Sequence, residues 1–514
     1  MENKEYRRTK IHTDIYTESS AEYVLPDYNG DIRRILFSEA SVRPAGKFAS
    51  ESDVEFTGVV VYNVVYSDPK GELCSASFSS DYEYKVKTDE YVDAVSDVRV
   101  ANLSVRATGP KKLSARASIA ARAAVVETGA IATSGSALKG DCSPELLTKS
   151  IDVRATAISE TVEREYAENI ATLDGAISDE VRVVYSGAEV NIEESELRDG
   201  ALYIEGELEL FAVIKNGDDA PFVAERSVDI NAEIPFEGAE CTMSFIPRAT
   251  LVSLKDSINS TETGTDVVLS AIVEYSAVGE CNRSAEVLSD AYLKEFESEC
   301  TYEDFRYSEL VGAERVCESL EVKVPRSELE CEPLREILFI TAEPKICECV
   351  PDGNGMRVRG ELRICGVAYG IDDNGNAVFS PIKFNSDFTK NVNLNCQICD
   401  NMRVEPTILV RKARGSFDAE NVYASMELDV YASVICDKSE RHLSHCEVKV
   451  DTAIKRDGST VRVYYPQHGD TLFSVAKRFH VSAAALAMDN SISAPTSALG
   501  SDGELSEVKK LLIL

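Results

Sequence analysis

Five histidines, His12, His442, His445, His468 and His480, are the only imidazoles from which a Ser/His or Cys/His nucleophile system could be drawn. The chain has no Gly-x-Ser-x-Gly elbow, no Walker phosphate loop and no His-Glu-x-x-His zinc helix. One constellation has metal-ligand character: Cys347-Glu-Cys349, Cys396-Gln-Ile-Cys399 and His442-Leu-Ser-His445-Cys446. Cys-x-x-Cys and His/Cys pairs can close a tetrahedral zinc site. However, Cys347 and Cys349 stand at strand spacing, which should point both to one face, and about fifty residues separate successive pairs. Small buried thiols account for them without a metal. A carboxylate pair for glycoside hydrolysis is defined in space, so 88 acidic residues identify none. The expectation is no catalytic residue, no metal and no cofactor.

Residues 461–514 must be positioned by a different kind of element from the rest. Val461-Arg-Val-Tyr-Tyr465 reads as a strand and Pro466-Gln-His-Gly469 as a turn. Leu472, Val475, Ala476 and Phe479 then recur at i, i+3, i+4 and i+7, the apolar stripe of a helix that Asp470 or Thr471 can cap. Ser482 caps a second short helix over 483–488, and Leu511 to Leu514 ends as a strand. The predicted order is βααβ, a small unit expected to fold independently around Leu472, Val475, Phe479 and Leu486.

Upstream, one pattern occurs three times. Val54-Glu-Phe-Thr-Gly58, Leu202-Tyr-Ile-Glu-Gly206 and Met356-Arg-Val-Arg-Gly360 each lead into a bulky apolar run, with the glycines 148 and then 154 positions apart. Phe37-Ser-Glu-Ala-Ser-Val42 is similar to Tyr185-Ser-Gly-Ala-Glu-Val190, and Ile32 to Phe37 is similar to Leu334 to Phe339. A period of that size is one domain, which points to tandem duplication. Ile204, Leu208 and Leu210 alternate with Glu205, Glu207 and Glu209, the signature of antiparallel strands wet on one face. A glycine in mid-strand marks a bulge or a close contact. The fold class expected is mainly β: antiparallel β-sandwich-like domains at 8–130, 150–290 and 315–446, a linker at 447–460, and the βααβ unit at 461–514.

Charge narrows the partners. The 514 residues carry 54 Lys plus Arg against 88 Asp plus Glu, a formal charge of −34. Such a surface repels nucleic-acid phosphates and anionic lipid, so neither is expected as a partner, while cationic proteins and uncharged ligands stay open. The 44% hydrophobic and 28% charged residues make a globular composition. No run approaches the roughly 18 apolar residues of a membrane helix. The charged opening Met1 to Arg8 lacks a following signal-peptide core. The expectation is a cytoplasmic protein without membrane insertion, whose 14 cysteines are mostly free thiols.

The tail resembles the LysM domain, whose core reads roughly Tyr-x-Val-x-x-Gly-Asp-Thr-Leu, then an apolar helix ending in Ala-x-x-Phe/Tyr, then Val-Ser and a later Asn. Here Tyr464, Gly469-Asp-Thr-Leu472, Val475-Ala476, Phe479, Val481-Ser482, Leu486 and Asn490 stand at those places. The resemblance implies binding of peptidoglycan or other N-acetylglucosamine-containing glycan in a shallow groove. Gly469, Asp470, Thr471, Leu472 and Phe473 would form one wall, and Asn490, Ser491 and Ile492 the other. The loop from Ser491 to Glu504 is longer than in the family, and Val508 replaces its usual glycine. The fold is thus better kept than the glycan-binding groove.

Tandem acidic β-domains followed by one LysM domain resemble the clostridial spore coat morphogenetic proteins of the SipL type, whose repeat is the SPOCS domain. That resemblance implies a role in sporulation as a non-enzymatic spore coat assembly adaptor, in the mother cell at the forespore surface. Its tail would bind the coat-basement ATPase, a SpoIVA-like protein, with Phe473 and Tyr465 as first candidate anchors. The competing expectation is a cell-wall glycan binder, or a glycan-processing enzyme targeted by its LysM domain.

Overall fold

A computed structural model describes residues 3–89, 91–132, 144–217, 219–239, 242–329, 333–372, 375–394, 396–399, 401–454, 461–492, 505 and 508–513. Among the described residues the chain is mostly β, with two short α-helices, both in the tail, and one 3-10 turn at Arg326–Glu328. The first eighteen strand positions of the fold repeat one six-strand pattern three times. In the first unit these are β1 (Asn3–Val24), β2 (Arg34–Ala49), β3 (Asp53–Ser67), β4 (Leu73–Lys87), β5 (Tyr91–Gly109) and β6 (Lys112–Ala132). Strands β2-β3-β4 form one antiparallel sheet and β1-β6-β5 the other.

The second unit has β9 (Val181–Arg198), β10 (Ala201–Asn216) and β11 (Phe222–Pro235) as its first sheet. Its second sheet joins β12 (Ser244–Ser260) to β13 (Gly264–Tyr292), and the place of β1 is taken by two strands, β7 (Glu145–Ile158) and β8 (Val162–Asp174). The third unit sets β15 (Leu334–Asp352), β16 (Gly355–Ile371) and β17 (Ala377–Asn393) against β14 (Phe296–Pro325), β19 (Asn421–Ala453) and β18 (Met402–Phe417).

Each unit is held by the apolar parity of its central strands. Val54, Phe56, Val60 and Tyr62 of β3 are buried against Ala115, Ala117, Ile119, Ala121 and Ala123 of β6. The small alanines leave room for the aromatic rings, which also include Tyr82 and Tyr84. In the second unit Leu202, Ile204, Leu208 and Leu210 meet Val267, Leu269, Ala271 and Val273, and in the third Val358, Leu362 and Ile364 meet Ala424, Met426 and Leu428.

The three glycines found by period mark β-bulges. Each faces an extra residue on the preceding strand: Ala45 beside Gly58, Glu193 beside Gly206 and Cys347 beside Gly360. A Cβ on Gly58 would lie 2.5 Å from the Arg43 carbonyl oxygen, and one on Gly360 2.7 Å from that of Lys345. A second bulge recurs at Leu36, Val184 and Leu338. Both sets keep the 148 and 154 offsets of the glycines. The bulge at Cys347 interrupts strand alternation, so the shared face expected for Cys347 and Cys349 has no backbone basis; the Cys347 side chain lies outside the described residues.

The units close into a three-way junction. Phe37, Tyr185 and Phe339 occupy equivalent positions, next to the second bulges. Their rings meet pairwise, with centroids 5.4 Å (Phe37–Tyr185), 4.9 Å (Phe37–Phe339) and 4.3 Å (Tyr185–Phe339) apart. Val65, Val213 and Val367, also equivalent, pack around them. The Tyr185 hydroxyl donates to Glu39 Oε2 at 2.9 Å, and burial pushes its pKa well above the usual tyrosine range.

The opposite sheets meet through charge. Arg154 of β7 pairs with Glu280 of β13 and, at 3.2 Å, with Glu405 of β18; Arg122 of β6 reaches Glu405 at 2.6 Å. Ser433 of β19 donates to Glu280 at 3.0 Å. Farther round, the bulge of β9 offers the carbonyls of Ile192 and Glu193 to Arg315 of β14, at 2.6 and 3.0 Å. Asp429, buried, holds that guanidinium through two bonds of 2.9 and 3.0 Å.

Strands β14 and β19 outrun the third sandwich. Phe296 to Leu310 pairs with 435–453 as a two-stranded ribbon. The stretch 447–453, expected as linker, is therefore strand, because the start of β14 supplies its hydrogen-bonding partner; residues 455–460 lie outside the described residues.

Candidate functional site in the C-terminal unit

The tail has the order β20 (Arg462–Tyr464), α1 (Leu472–Phe479), α2 (Ala483–Asp489) and β21 (Leu511–Ile513), with β20 and β21 antiparallel. Thr471 caps α1: its hydroxyl accepts from Ser474 N at 3.0 Å, and the Ser474 hydroxyl accepts from Thr471 N at 2.8 Å. This reciprocal pair satisfies two otherwise orphaned donors. Ser482 stands at the N-cap of α2 without a side-chain bond. His480 ends α1 in the left-handed region, at φ 51°.

The core is built from Phe473, Val475, Ala476, Ala483, Leu486, Leu511 and Ile513, with Leu472, Phe479 and Ile492 packed half-buried against it. Phe473 is thus a core residue and not an exposed anchor. Its ring meets Tyr292 of β13 edge to face at 5.1 Å.

That contact belongs to a seat for the whole tail. The Tyr292 hydroxyl donates to the Val481 carbonyl at 2.6 Å. Lys477 donates to both oxygens of Asp290 at 2.6 and 2.7 Å, and the same carboxylate accepts from Tyr302 of β14 at 2.7 Å. His480 Nδ1 lies 2.9 Å from the Leu293 carbonyl oxygen. The expectation of an independent βααβ unit gives way here. The tail shares its core with β13, which a reading of 461–514 alone could not reveal.

The eight predicted groove residues are mostly engaged internally. Asp470, 7% exposed, accepts from Gln467 N at 2.8 Å and from the Tyr464 hydroxyl at 2.5 Å. Those bonds hold its carboxyl below the usual aspartate range. Asn490 accepts from Leu512 N at 2.6 Å and donates to the Leu512 carbonyl at 2.7 Å, tying α2 to β21. Gly469 and Ser491 are exposed, both at positive φ. The first wall touches the second loop where Leu505 N donates to the Asp470 carbonyl at 3.0 Å. Residues 493–504, the rest of that loop, lie outside the described residues.

Sequence reasoning singled out Tyr465 but not its neighbours. Val461, Val463 and Tyr465 share one parity and are 62%, 51% and 68% exposed; Leu512, opposite Val463, is 37% exposed. On the other parity Tyr464 faces inward, its ring 5.4 Å from Phe479. The outer face of the β20–β21 ribbon is therefore a continuous apolar strip. The signal for it was the alternation in Val-Arg-Val-Tyr-Tyr.

Among the described residues the cysteine and histidine pairs do not gather. Cys349 lies 3.4 Å from Met356 Sδ, Cys396 and Cys399 sit in the connection between β17 and β18, and His442 packs edge-on to Phe305. Among the described residues no three His, Cys, Asp or Glu side chains are placed to hold a metal ion. A cleft of about 760 Å³ opens between the three units. Its walls carry Ser41, Ser75, Ser77 and Ser253 beside Arg43 and Lys255, with no histidine among the described residues.

The LysM domain family model matches residues 467–499, so the tail is a LysM domain. No curated protein matches the chain, and no solved structure does. No helix among the described residues is long and apolar enough to cross a membrane.

Proposed function

We propose that this chain is a non-enzymatic assembly adaptor whose LysM domain binds a protein partner rather than glycan. The observation that carries the reading is the apolar strip of Val461, Val463, Tyr465 and Leu512. Such a contiguous exposed patch marks an interaction surface, and its tyrosine is of the residue types in which binding energy concentrates, with the aliphatic neighbours serving to exclude water around it. By contrast, Asp470, Thr471 and Asn490 spend polar atoms on internal bonds, which leaves a sugar fewer aligned partners.

The tail carries five Lys or Arg and five Asp or Glu in 461–514, so the charge of −34 sits on the preceding units. A partner meeting the tail avoids most of that repulsion if it approaches the strip. In the resemblance to SipL-type proteins this partner is the coat-basement ATPase, and the setting is the spore coat, in the mother cell at the forespore surface. Repeated β-units on one rigid body would present further faces to coat proteins. The LysM match itself supports a second reading, binding of peptidoglycan or N-acetylglucosamine oligomers.

Binding of the full chain to the ATPase and to N-acetylglucosamine oligomers separates them. Tyr465→Ala should weaken protein binding by about tenfold or more without changing the melting temperature. Glycan binding that survives Tyr465→Ala, with no ATPase binding by the wild type, would establish the second reading instead.

A further inference from the structure

Beneath the LysM seat, two cysteines face each other across the ribbon. Cys300 of β14 and Cys446 of β19 are direct register partners, and their sulfurs lie 3.3 Å apart. Opposed Cα atoms in antiparallel pairs are about 4.5–5.5 Å apart, inside the range a disulfide spans. Closing the sulfurs to about 2.05 Å needs side-chain rotation and no change of strand register. The pair sits among Leu288, Ala291, Leu293 and Leu443, with Cys446 2% exposed and Cys300 half-buried.

We propose that Cys300 and Cys446 form a reversible thiol–disulfide site that reacts with low-molecular-weight disulfides, Cys300 attacking first and Cys446 resolving. Accessibility assigns the order, because only Cys300 has a solvent-facing side. Electrostatics agrees: the Cys446 thiol donates to the Cys300 sulfur, and the Lys477 ammonium adds to the effect, so Cys300 is held below the ordinary thiol range. The same bond pushes Cys446 upward. Asp290 opposes the shift but is itself neutralised by Lys477.

With glutathione disulfide as the oxidant, the Cys300 thiolate attacks one sulfur, the glutathione S–S bond breaks and one glutathione thiolate leaves. Cys446 then gives its proton to solvent, and its sulfur attacks Cys300 Sγ. The mixed disulfide breaks, and the second glutathione leaves as a thiolate that takes up a proton. Two protein thiols become one disulfide, and two electrons pass to the glutathione pair.

The place of the bond gives it a consequence. Cys300 Sγ lies 3.4 Å from the Ala291 carbonyl, beside Asp290 and Tyr292, which hold the LysM domain. Oxidation would fix β14 to β19 at the level of that seat and remove the thiolate facing Lys477.

The test equilibrates the full chain with oxidised and reduced glutathione, blocks free thiols by alkylation and maps peptides by mass. The expected product is a 300–446 cross-link that reduced glutathione reverses. Cys446→Ser should accumulate a glutathione adduct on Cys300, and Cys300→Ser should leave Cys446 unmodified. Circular dichroism confirms that each variant is folded; the wild-type cross-link decides the matter if one is not. Exposed Cys317 and Cys399 taking up glutathione while Cys300 and Cys446 both remain alkylatable would overturn the proposal.

Discussion

Phe473 and Asp470 divide the work of the LysM site between packing and charge. Phe473, 6% exposed against Tyr292, should cost about 3–5 kcal/mol when replaced by alanine, read by chemical unfolding of the full chain. Phe479, half-buried against Tyr464, should cost less, so the order of the two losses tests the packing. Asp470 predicts a pH dependence. Its carboxyl is depressed in the folded state, so its contribution is complete above the ordinary aspartate value of about 3.9 and is lost as pH falls through the lower folded value. Hydrogen-exchange protection of the segment 464–490, taken relative to the intrinsic rate at each pH, should therefore fall below about pH 4, and Asp470→Asn should flatten that acid limb. An exchange profile unchanged by Asp470→Asn would refute the assignment.

Among the strands, the paired bulges are what turn a plain sandwich into a unit that docks. A bulge sharpens twist and re-aims the residues around it. The one beside Gly206 turns the Ile192 and Glu193 carbonyls outward to Arg315 of the third unit. Gly206→Ala would set a Cβ against the Asn191 carbonyl and should cost on the order of 1–3 kcal/mol by calorimetry. Gly175→Ala, at φ 71° with nothing within 4 Å, separates backbone strain from this clash. The glycines, their period and the strand class were legible in the sequence because alternation and turn chemistry are local. The splitting of the first strand into β7 and β8 was not: it is set by pairing with two halves of β13, from 90 positions away (Asp174 with Gly264) to 147 (Glu145 with Tyr292). The Lys477–Asp290 bond, across 187 positions, left no local trace either. Phe473 was visible as an aromatic at a LysM wall position, but sequence could not say that Tyr292 would cover it.

At the scale of the molecule, two junctions of opposite character hold the units, an aromatic cluster and a buried set of charges. Removing Arg154 leaves Glu280 and Glu405, both about a tenth exposed at the side chain, without their shared partner. Arg154→Met should accordingly destabilise by about 3–5 kcal/mol. Because each unit touches both others, calorimetry of the wild-type β-body should show one cooperative transition. Three separable transitions would contradict a shared junction.

Phe37, Tyr185 and Phe339 also bear on how many copies such a chain can have. Open solenoids grow by adding repeats at an end, since each repeat contacts only its neighbours. Here every unit already faces the other two, and equivalent rings from all three fill the centre, with Phe211 of the second unit packed beside them. A two-copy descendant would leave a hole at that centre, and a four-copy one would have a ring with no place in it. The junction is thus complete with three units, and a further unit would have to belong to a second closed body rather than join this one.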